Sequence, residues 1–180
     1  MVSKAYFFDK YDNFCYANIE LKKQNLNITA YDGNNEEMGH LNLTIKDNER
    51  IVIDEIICSN GCARLGIGTT LIDIFEYLFR DYPGIVCGKY TPLNTALNVV
   101  ENDQVARSFY EKNGYQIVSR CEFREHPELY PELTLEDFNA TSRIYNYSLI
   151  YKQSLKKDEY RFKEANNELK ENIKVKALNW

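Results

Sequence analysis

The sequence lacks any apolar run of the roughly 18 residues that a membrane-spanning helix requires. Its first residues, MVSKAYFFDKYDNF, also lack the apolar core of a secretory signal peptide. We therefore expect a cytoplasmic protein that does not enter a membrane. With 180 residues, of which 44% are hydrophobic and 27% charged, the chain has the composition of a globular protein and is long enough to bury one core.

Positively charged residues are also fewer than negatively charged ones. Lys and Arg number 22 against 27 Asp and Glu, which leaves a net charge of −5. Binding to a nucleic-acid backbone needs clustered cations that displace counterions from phosphate. We expect no nucleic-acid partner, and a cationic amine suits this acidic chain better.

Paired cysteines are missing as well. The five cysteines, an odd number, do not fall into the two short-spaced ligand pairs of a zinc site, because no second Cys or His pair follows Cys58 and Cys62. We therefore expect reduced, mostly buried thiols and no bound metal.

Glycine is infrequent, with eight in the chain, yet two stand one residue apart in the segment ARLGIGT, residues 63–69. A glycine turn that follows a strand and opens into a helix exposes unpaired N–H groups at the positive end of the helix dipole, and this geometry binds phosphate. Arg64 would add a charge-assisted contact to the same anion. The alternative is that Gly66 and Gly68 only permit a tight turn and close strand–helix packing. Neither a third dinucleotide-fold glycine nor a P-loop Gly-Lys-Ser/Thr follows.

The pattern around these glycines predicts an α/β (α+β) fold. Residues 25–59 show apolar alternation broken by two turns, which predicts three antiparallel strands. An apolar stripe with helical spacing follows the glycines and stops near residue 82. Further segments predict a strand at GIVCGKY, a helix over about 103–113, a strand at YQIVSR and a last strand at 143–152. We expect a mixed, mostly antiparallel central sheet flanked by helices.

The end of the chain predicts an appended helix. Residues 122–142 read as irregular, with one short helix at most. Residues 155–176 are highly charged but carry a narrow apolar stripe that begins at Phe162, which favours a terminal helix that covers a sheet edge or pairs in a homodimer. We expect one domain over 1–152 and a C-terminal amphipathic helix extension over 153–180.

A second motif, downstream of the two glycines, helps to interpret them. Residues 106–115, ARSFYEKNGY, lie on the second helix about forty residues downstream. The two segments resemble motifs A and B of the GNAT superfamily of N-acetyltransferases. Motif A in the family is Gln/Arg-x-x-Gly-x-Gly/Ala, which residues 63–68 match apart from Ala63. Motif B is Ala-x-x-Phe/Leu-Tyr-Glu-Lys-x-Gly-Phe/Tyr, which residues 106–115 match throughout. The resemblance covers roughly residues 26–121, with 143–152 as the last strand.

The resemblance implies an acyltransferase that uses acetyl-CoA as co-substrate and transfers its acetyl group to a primary amine of a small molecule or peptide, by direct attack in a ternary complex. The amides of residues 63–69 would hold the pyrophosphate. The preceding strand would pair with the pantetheine arm in a gap beside the next strand. The implied cofactor-binding residues are Cys58, Asn60, Ala63, Arg64, Leu65, Gly66, Ile67, Gly68, Thr69 and Asp103, the last standing where the family commonly has Asn.

Two residues are the leading catalytic candidates. Tyr110 stands where the family usually carries a tyrosine beside the CoA sulfur, which implies an acid that protonates the leaving thiolate. Asp54 is our preferred base, since burial in an apolar strand would raise its pKa, while strand alternation would turn Glu55 to the opposite face. His40, on the polar face of the adjoining strand, and a water chain are alternative bases. His126 is a weaker candidate for lining an acceptor pocket.

The N-terminus departs from the family, whose members usually carry two helices between their first and second strands. Residues 1–25 show no clear helical period. Either these helices are lost, or residues 122–142 and the C-terminal helix build the acceptor pocket. The alternative function is a catalytically weak or inactive CoA-binding or interaction module that works through its C-terminal helix.

Overall fold

The computed structural model describes residues 2–46, 49–90, 99–138, 148–160 and 162–164. Within these ranges, nine strands form one sheet in the order β7-β8-β6-β5-β4-β3-β2-β1-β9. The strands are β1 (Val2–Phe8), β2 (Phe14–Lys22), β3 (Asn25–Asp32), β4 (Glu37–Ile45), β5 (Arg50–Cys58), β6 (Ile85–Lys89), β7 (Gln116–Val118), β8 (Leu149–Lys152) and β9 (Lys163–Glu164). The α-helices are α1 (Ile67–Leu78), α2 (Val99–Lys112) and α3 (Arg120–Glu125).

The sheet is mixed and mostly antiparallel, which confirms the predicted fold class. Every strand pairing in the described ranges is antiparallel except that of β5 with β6. A parallel pair needs a crossover connection, and α1 provides it. This crossover brings the amino end of α1 beside the carboxyl end of β5, where the candidate site lies.

One face of the sheet packs against α1. Alternating apolar residues of β2, β3 and β4 point to this face and are buried, for example Ile19, Ile28 and Leu41. The helix contributes Leu71 and Phe75, both 0% exposed. The predicted alternation of β4 is therefore confirmed, with His40, Asn42 and Thr44 on the other face, where they are half-buried.

The other face of β6–β8 is covered by residues 120–138. Phe123, Tyr130, Leu133 and Phe138 pack there against Tyr151 and its neighbours in a second apolar cluster. This segment contains α3 and two 3₁₀ turns, Pro127–Leu129 and Leu135–Phe138, where the sequence predicts one short helix at most. Residues 139–142 lie outside the described ranges.

The N-terminal residues form a β-hairpin. β1 and β2 pair from Val2↔Glu20 to Phe8↔Phe14, and β2 continues into β3 through a two-residue turn. Residues 2–25 therefore contain no helix. The two helices that members of the family usually carry between their first and second strands are absent from these residues. The Lys10 amide donates to the Leu65 carbonyl at 3.0 Å, so the hairpin also fixes the loop that precedes α1.

The predicted C-terminal helix is wrong for its described part. Residues 155–160 are irregular, and residues 163–164 form β9, antiparallel to β1. Buried charges on α1 hold this segment in place: Lys152 Nζ lies 2.7 Å from Glu76 Oε1, and Lys157 Nζ lies 2.6 Å from Glu76 Oε2. Asp73 also pairs with Lys157. Residues 165–180 lie outside the described ranges.

Smaller differences concern element ends. The first predicted helix stops at Leu78, four residues before the predicted end, and the last predicted strand is described only for Leu149–Lys152, because residues 143–147 lie outside the described ranges. In the part of the chain that the structure describes, no helix is long and apolar enough to cross a membrane.

Candidate active site

A cleft of about 590 Å³ opens between the end of β5, the amino end of α1 and one side of α2. Residues 63–69 line one side of it, apart from Leu65, and five residues of α2, including Phe109 and Lys112, line the other together with Asn113. Ile56, Cys58 and Cys62 complete the wall. The segment ARLGIGT therefore lies at a pocket large enough for an extended ligand.

The two glycines have different reasons to be glycine. Gly66 is the N-cap of α1 with φ of 85°, in the left-handed region, and a Cβ there would meet no atom within 4 Å. Gly68 has ordinary dihedrals, but a Cβ there would lie 3.0 Å from Phe109 Cε2. Gly66 thus supplies the turn, and Gly68 lets α1 approach α2 closely. The turn at the start of α1 fits the interpretation as a phosphate-binding segment, and the close approach at Gly68 fits the interpretation as a packing requirement.

The amino end of α1 faces the cleft without a side-chain cap. The N-cap residue is Gly66, which has no side chain to accept a hydrogen bond from the helix amides. The first helical turn also carries no acidic residue. The amides of Ile67, Gly68 and Thr69 belong to this turn, and such amides have no acceptor within a helix. The cations of Arg64 and Lys112 line the same cleft. These features favour an anionic group on the ligand.

The thiol of Cys58 lies in the wall of the cleft. Burial raises its pKa, and the neighbouring Gly68 amide opposes this shift without cancelling it. The Cys62 thiol is also held protonated, because burial and the charges of Asp32 and Glu36 raise its pKa. At neutral pH both thiols are protonated, and the two side chains are small apolar groups in the wall of the cleft.

A gap opens in the sheet next to the cleft. β5 and β6 pair only from Arg50↔Ile85 to Ile53↔Gly88, although β5 continues to Cys58. Gly88 permits the last close pair, since a Cβ there would lie 2.6 Å from the Ile53 carbonyl oxygen. Beyond this pair no described residue of β6 pairs with residues 54–58, and the gap is the place where β5 continues without β6.

The carboxylates of Asp54 and Glu55 lie on the face of the sheet opposite α1. Asp54 accepts a hydrogen bond from Thr44 Oγ1 at 2.6 Å, and Glu55 Oε1 lies 2.9 Å from His40 Nε2. The register of β4 and β5 shifts between Asn42 and Leu43, which inserts Asp54 as an extra residue. The predicted opposite orientation of Glu55 is therefore wrong, because this β-bulge turns both side chains to one face.

Both carboxylates are exposed to solvent, so the predicted burial of Asp54 is also wrong. They follow directly after Ile53, where the pairing of β5 with β6 ends, whereas Ile56 lines the cleft on the other face. The gap therefore has a carboxylate pair on one side and the cleft on the other.

His40 joins two carboxylates. Its Nδ1 lies 2.8 Å from Glu37 Oε1, and its Nε2 contacts Glu55. Burial alone would lower its pKa, but the hydrogen bonds and negative charges of Glu37 and Glu55 outweigh burial, so the pKa of His40 is raised above its ordinary value. His40 is thus disposed to carry a positive charge, which is unfavourable for a free base near neutral pH.

Tyr110 is 2% exposed and does not belong to the lining of the cleft, although it contacts Phe109, which does. Its ring makes edge contacts with Phe109 at 5.2 Å, Tyr90 at 6.0 Å and Tyr115 at 6.1 Å between centroids. Tyr90 directly follows β6, so Tyr110 lies at the carboxyl end of that strand, beside the gap. Burial raises the pKa of Tyr110 to about 12.

Asp103 does not line the cleft. Its Oδ1 accepts a hydrogen bond from the Tyr90 hydroxyl at 2.8 Å, and its Oδ2 lies 3.2 Å from Arg107 Nε. The structure thus uses Asp103 to hold Tyr90 against Tyr110, and not as a wall of the pocket. Asn60 and Leu65 are likewise absent from the lining, although they belong to the loop beside it.

The structure thus brings together seven of the ten implied cofactor residues. They are Cys58, Ala63, Arg64, Gly66, Ile67, Gly68 and Thr69. The sequence interpretation did not select the α2 wall, formed by Gln104, Val105, Ser108, Phe109, Lys112 and Asn113. Their spacing of three and four residues marks one helical face, so the periodicity of α2 would have identified them.

His126 lies away from this site. Its Nδ1 is 3.3 Å from Glu128 Oε1, and the side chain is 57% exposed on the 120–138 segment. Over the described ranges, no group of three His, Cys, Asp or Glu side chains is arranged to hold a metal ion.

Solved structures share this architecture. The chain is similar to an acetyltransferase of the GNAT family from Staphylococcus aureus, with a TM-score of 0.51 and 17% identity over 74% of this chain and 70% of that one. It also matches a GNAT-family acetyltransferase from Elizabethkingia anophelis with acetyl-CoA bound, at TM-score 0.43 and 20% identity over 71% and 74% of the two chains. Tetrahymena GCN5 matches at TM-score 0.47 and 12% identity over 77% and 74%.

The first of these likenesses shows that the chain has a GNAT acetyltransferase fold, which confirms the predicted resemblance at the level of architecture. No family profile matches the sequence, and no curated protein sequence does.

Proposed function

We propose that the protein transfers the acetyl group of acetyl-CoA to a primary amine, by direct attack in a ternary complex. One observation carries this proposal: the cleft on the α1 face and the carboxylates on the other face meet at the gap where β5 leaves β6. An acyl donor in the cleft and an amine on the opposite face would approach each other through that gap. A cytoplasmic location stays a prediction from the sequence.

The cleft has the chemistry that this donor requires. Arg64, Lys112 and the uncapped amides of α1 suit the phosphates, while Ile56, Phe109 and the Cys58 wall suit an apolar arm. The side of the residue 54–58 backbone that faces away from β4 has no β6 partner and offers hydrogen bonds to the amides of that arm. Acetyl-CoA itself supplies the activated acetyl group as a thioester.

The acceptor must lose a proton to react. An alkyl ammonium with a pKa near 10.4 is deprotonated at pH 7 at a cost of about 4–5 kcal/mol. We assign the base role to Asp54, because its hydrogen bond among the described residues comes from the neutral hydroxyl of Thr44, whereas the charge of Glu55 is matched by His40. The ammonium first loses one proton to solvent. Asp54 accepts the second proton as the neutral nitrogen bonds to the acetyl carbon and becomes acidic, and the carbon–sulfur bond then breaks so that CoA leaves as its thiolate.

Tyr110 assists the departing sulfur by a hydrogen bond. A phenol with a pKa of about 12 would transfer a whole proton to a thiolate of pKa about 8.5 at a cost of roughly 5 kcal/mol. Full proton transfer in the ground state is therefore unfavourable. Donation of a hydrogen bond in the low-dielectric interior avoids that cost and still stabilises the developing negative charge.

The proposal is tested by measuring thiol release from acetyl-CoA across a panel of primary amines, with the acetylated product identified by mass spectrometry. We expect amine-dependent release that saturates in both substrates. Binding of acetyl-CoA without release for any amine, including peptide N-termini and lysine peptides, would favour the CoA-binding interaction module instead.

A further inference from the structure

Five aromatic side chains form a continuous strip across the open face of the N-terminal strands. Tyr31 and Tyr16 stack with centroids 5.2 Å apart, and Tyr6 stacks on Phe14 at 5.7 Å. Phe8 meets Phe14 edge-on at 6.2 Å, and Tyr6 lies opposite Tyr16 in the β1–β2 register. We call these five residues the aromatic strip.

The outer end of the strip is open to solvent. Tyr6, Phe14 and Phe8 are 38%, 49% and 55% exposed, whereas the alternate residues Ala5 and Phe7 are buried against the core. Three large apolar side chains in mutual contact form a patch, and contiguous exposed patches of this kind mark interaction surfaces.

The inner end of the strip reaches the candidate active site. Tyr31 is paired with Glu37 in the β3–β4 register, Glu37 contacts His40, and His40 contacts Glu55. The strip is therefore continuous with the carboxylates beside the gap. Its charge changes along its length: Glu37 and, through His40, Glu55 lie at the inner end, the Lys4 ammonium lies 4.6 Å from the centroid of the Tyr16 ring, and the outer end is apolar.

We propose that the aromatic strip binds an extended peptide whose amine is the acetyl acceptor and whose apolar side chain rests on Tyr6, Phe14 and Phe8. This inference rests on the proposed function and selects peptides from its two classes of acceptor. The negative end complements the ammonium group, and the apolar end offers ring contacts.

The length of the strip supports a peptide. From Tyr6 on β1 to Asp54 on β5 there are four strand spacings, about 19 Å, which an extended chain of about six residues spans. A small amine at Asp54 would reach none of the outer rings. The acceptor amine and its apolar side chain should thus be separated by about five to seven residues.

The test uses capped decapeptides of Gly and Ala that contain one Lys and one Tyr, separated by zero to seven residues, with matched peptides in which Ala replaces the Tyr. Binding to the full chain is measured by fluorescence anisotropy of labelled peptides without acetyl-CoA, and kcat/KM is measured with acetyl-CoA. Free N-terminal versions of the same peptides test the other peptide amine.

We expect the peptides with a separation of five to seven residues to bind at least tenfold more tightly than their Ala counterparts. The double variant Tyr6→Ser, Phe14→Ser should reduce this gain below threefold. The control Leu129→Ser should retain it, because Leu129 is 59% exposed but belongs to the 120–138 segment.

Equal binding of Tyr and Ala peptides at every separation, or an unchanged gain in the double variant, would overturn the proposal. A dimer in sedimentation that the double variant dissociates would also overturn it, since the occupant would then be a second copy. Failure of the proposed function has a different signature: spacing-dependent peptide binding persists, but no peptide is acetylated.

Discussion

His40 and Glu55 form a hydrogen bond across β4 and β5, with Nε2 and Oε1 2.9 Å apart. The bulge at Asp54 makes this pairing possible, because it turns Glu55 to the face that His40 occupies. The contact places a protonatable ring beside two carboxylates at the point where the sheet opens.

This pairing predicts a stability that depends on pH. The folded-state pKa of His40 is raised above 6.5, so its contribution is full below pH 6.5 and is lost as pH rises through the folded-state value. His40→Gln should therefore lower the Tm more at pH 6 than at pH 8.5. A decrease in Tm of the same size at both values would mean that the charged pair does not stabilise the fold.

The base assignment predicts different effects for two neighbouring carboxylates. Asp54→Asn should lower kcat/KM for amines about 100-fold, within the usual range for a general base. Glu55→Gln should lower it less than tenfold, because His40 already occupies that carboxylate. Rates measured from pH 6 to 9 test this, and the reverse order of effects would transfer the base role to Glu55.

Tyr110→Phe predicts a selective loss of turnover. Removal of the hydroxyl should lower kcat about tenfold or more and change acetyl-CoA affinity less than twofold, since the ring contacts remain. Steady-state kinetics and a calorimetric titration separate the two quantities. Tyr130→Phe is the matched control, because Tyr130 is also buried but lies on the other face of the sheet and donates to Glu122. Equal losses in kcat and affinity would reduce Tyr110 to a packing residue.

The ion pairs between α1 and the C-terminal segment predict a large stability effect. Glu76 is 0% exposed and pairs with both Lys152 and Lys157. Glu76→Gln would leave two half-buried ammonium groups without this partner, at a cost of about 3 kcal/mol. Urea denaturation measures this loss, with the exposed Glu111→Gln as control. A loss below about 1 kcal/mol would show that Asp73 alone holds the segment.

Much of this fold can be predicted from the sequence because the patterns that determine its elements are local. Period-two alternation marks β3 and β4, and the glycines with the apolar stripe mark the start of α1. Gly114, with φ of 79°, ends α2 as predicted. Each of these elements is determined by residues close in sequence, so a segment of about ten residues is enough to predict it.

The features that escaped prediction depend on distant partners. The bulge at Asp54 arises from the register between β4 and β5, which no single strand encodes. The sequence predicts a helix in residues 155–176 from an apolar stripe that begins at Phe162, but Lys157 pairs with Asp73, 84 residues away, and β9 pairs with β1. Tertiary contacts override local propensity in both cases.

The most direct test of the account is a thermal-shift titration with acetyl-CoA on three chains. Ser108 lines the cleft, so Ser108→Trp would fill it, while Glu111→Trp adds the same side chain to an exposed position on the same helix. A ligand at a hundredfold excess over its Kd stabilises the folded state by about 2.7 kcal/mol. We predict a concentration-dependent rise in Tm for the wild type and Glu111→Trp, and none for Ser108→Trp. No rise in the wild type at millimolar acetyl-CoA, or equal rises in all three chains, would contradict the assignment of the cleft.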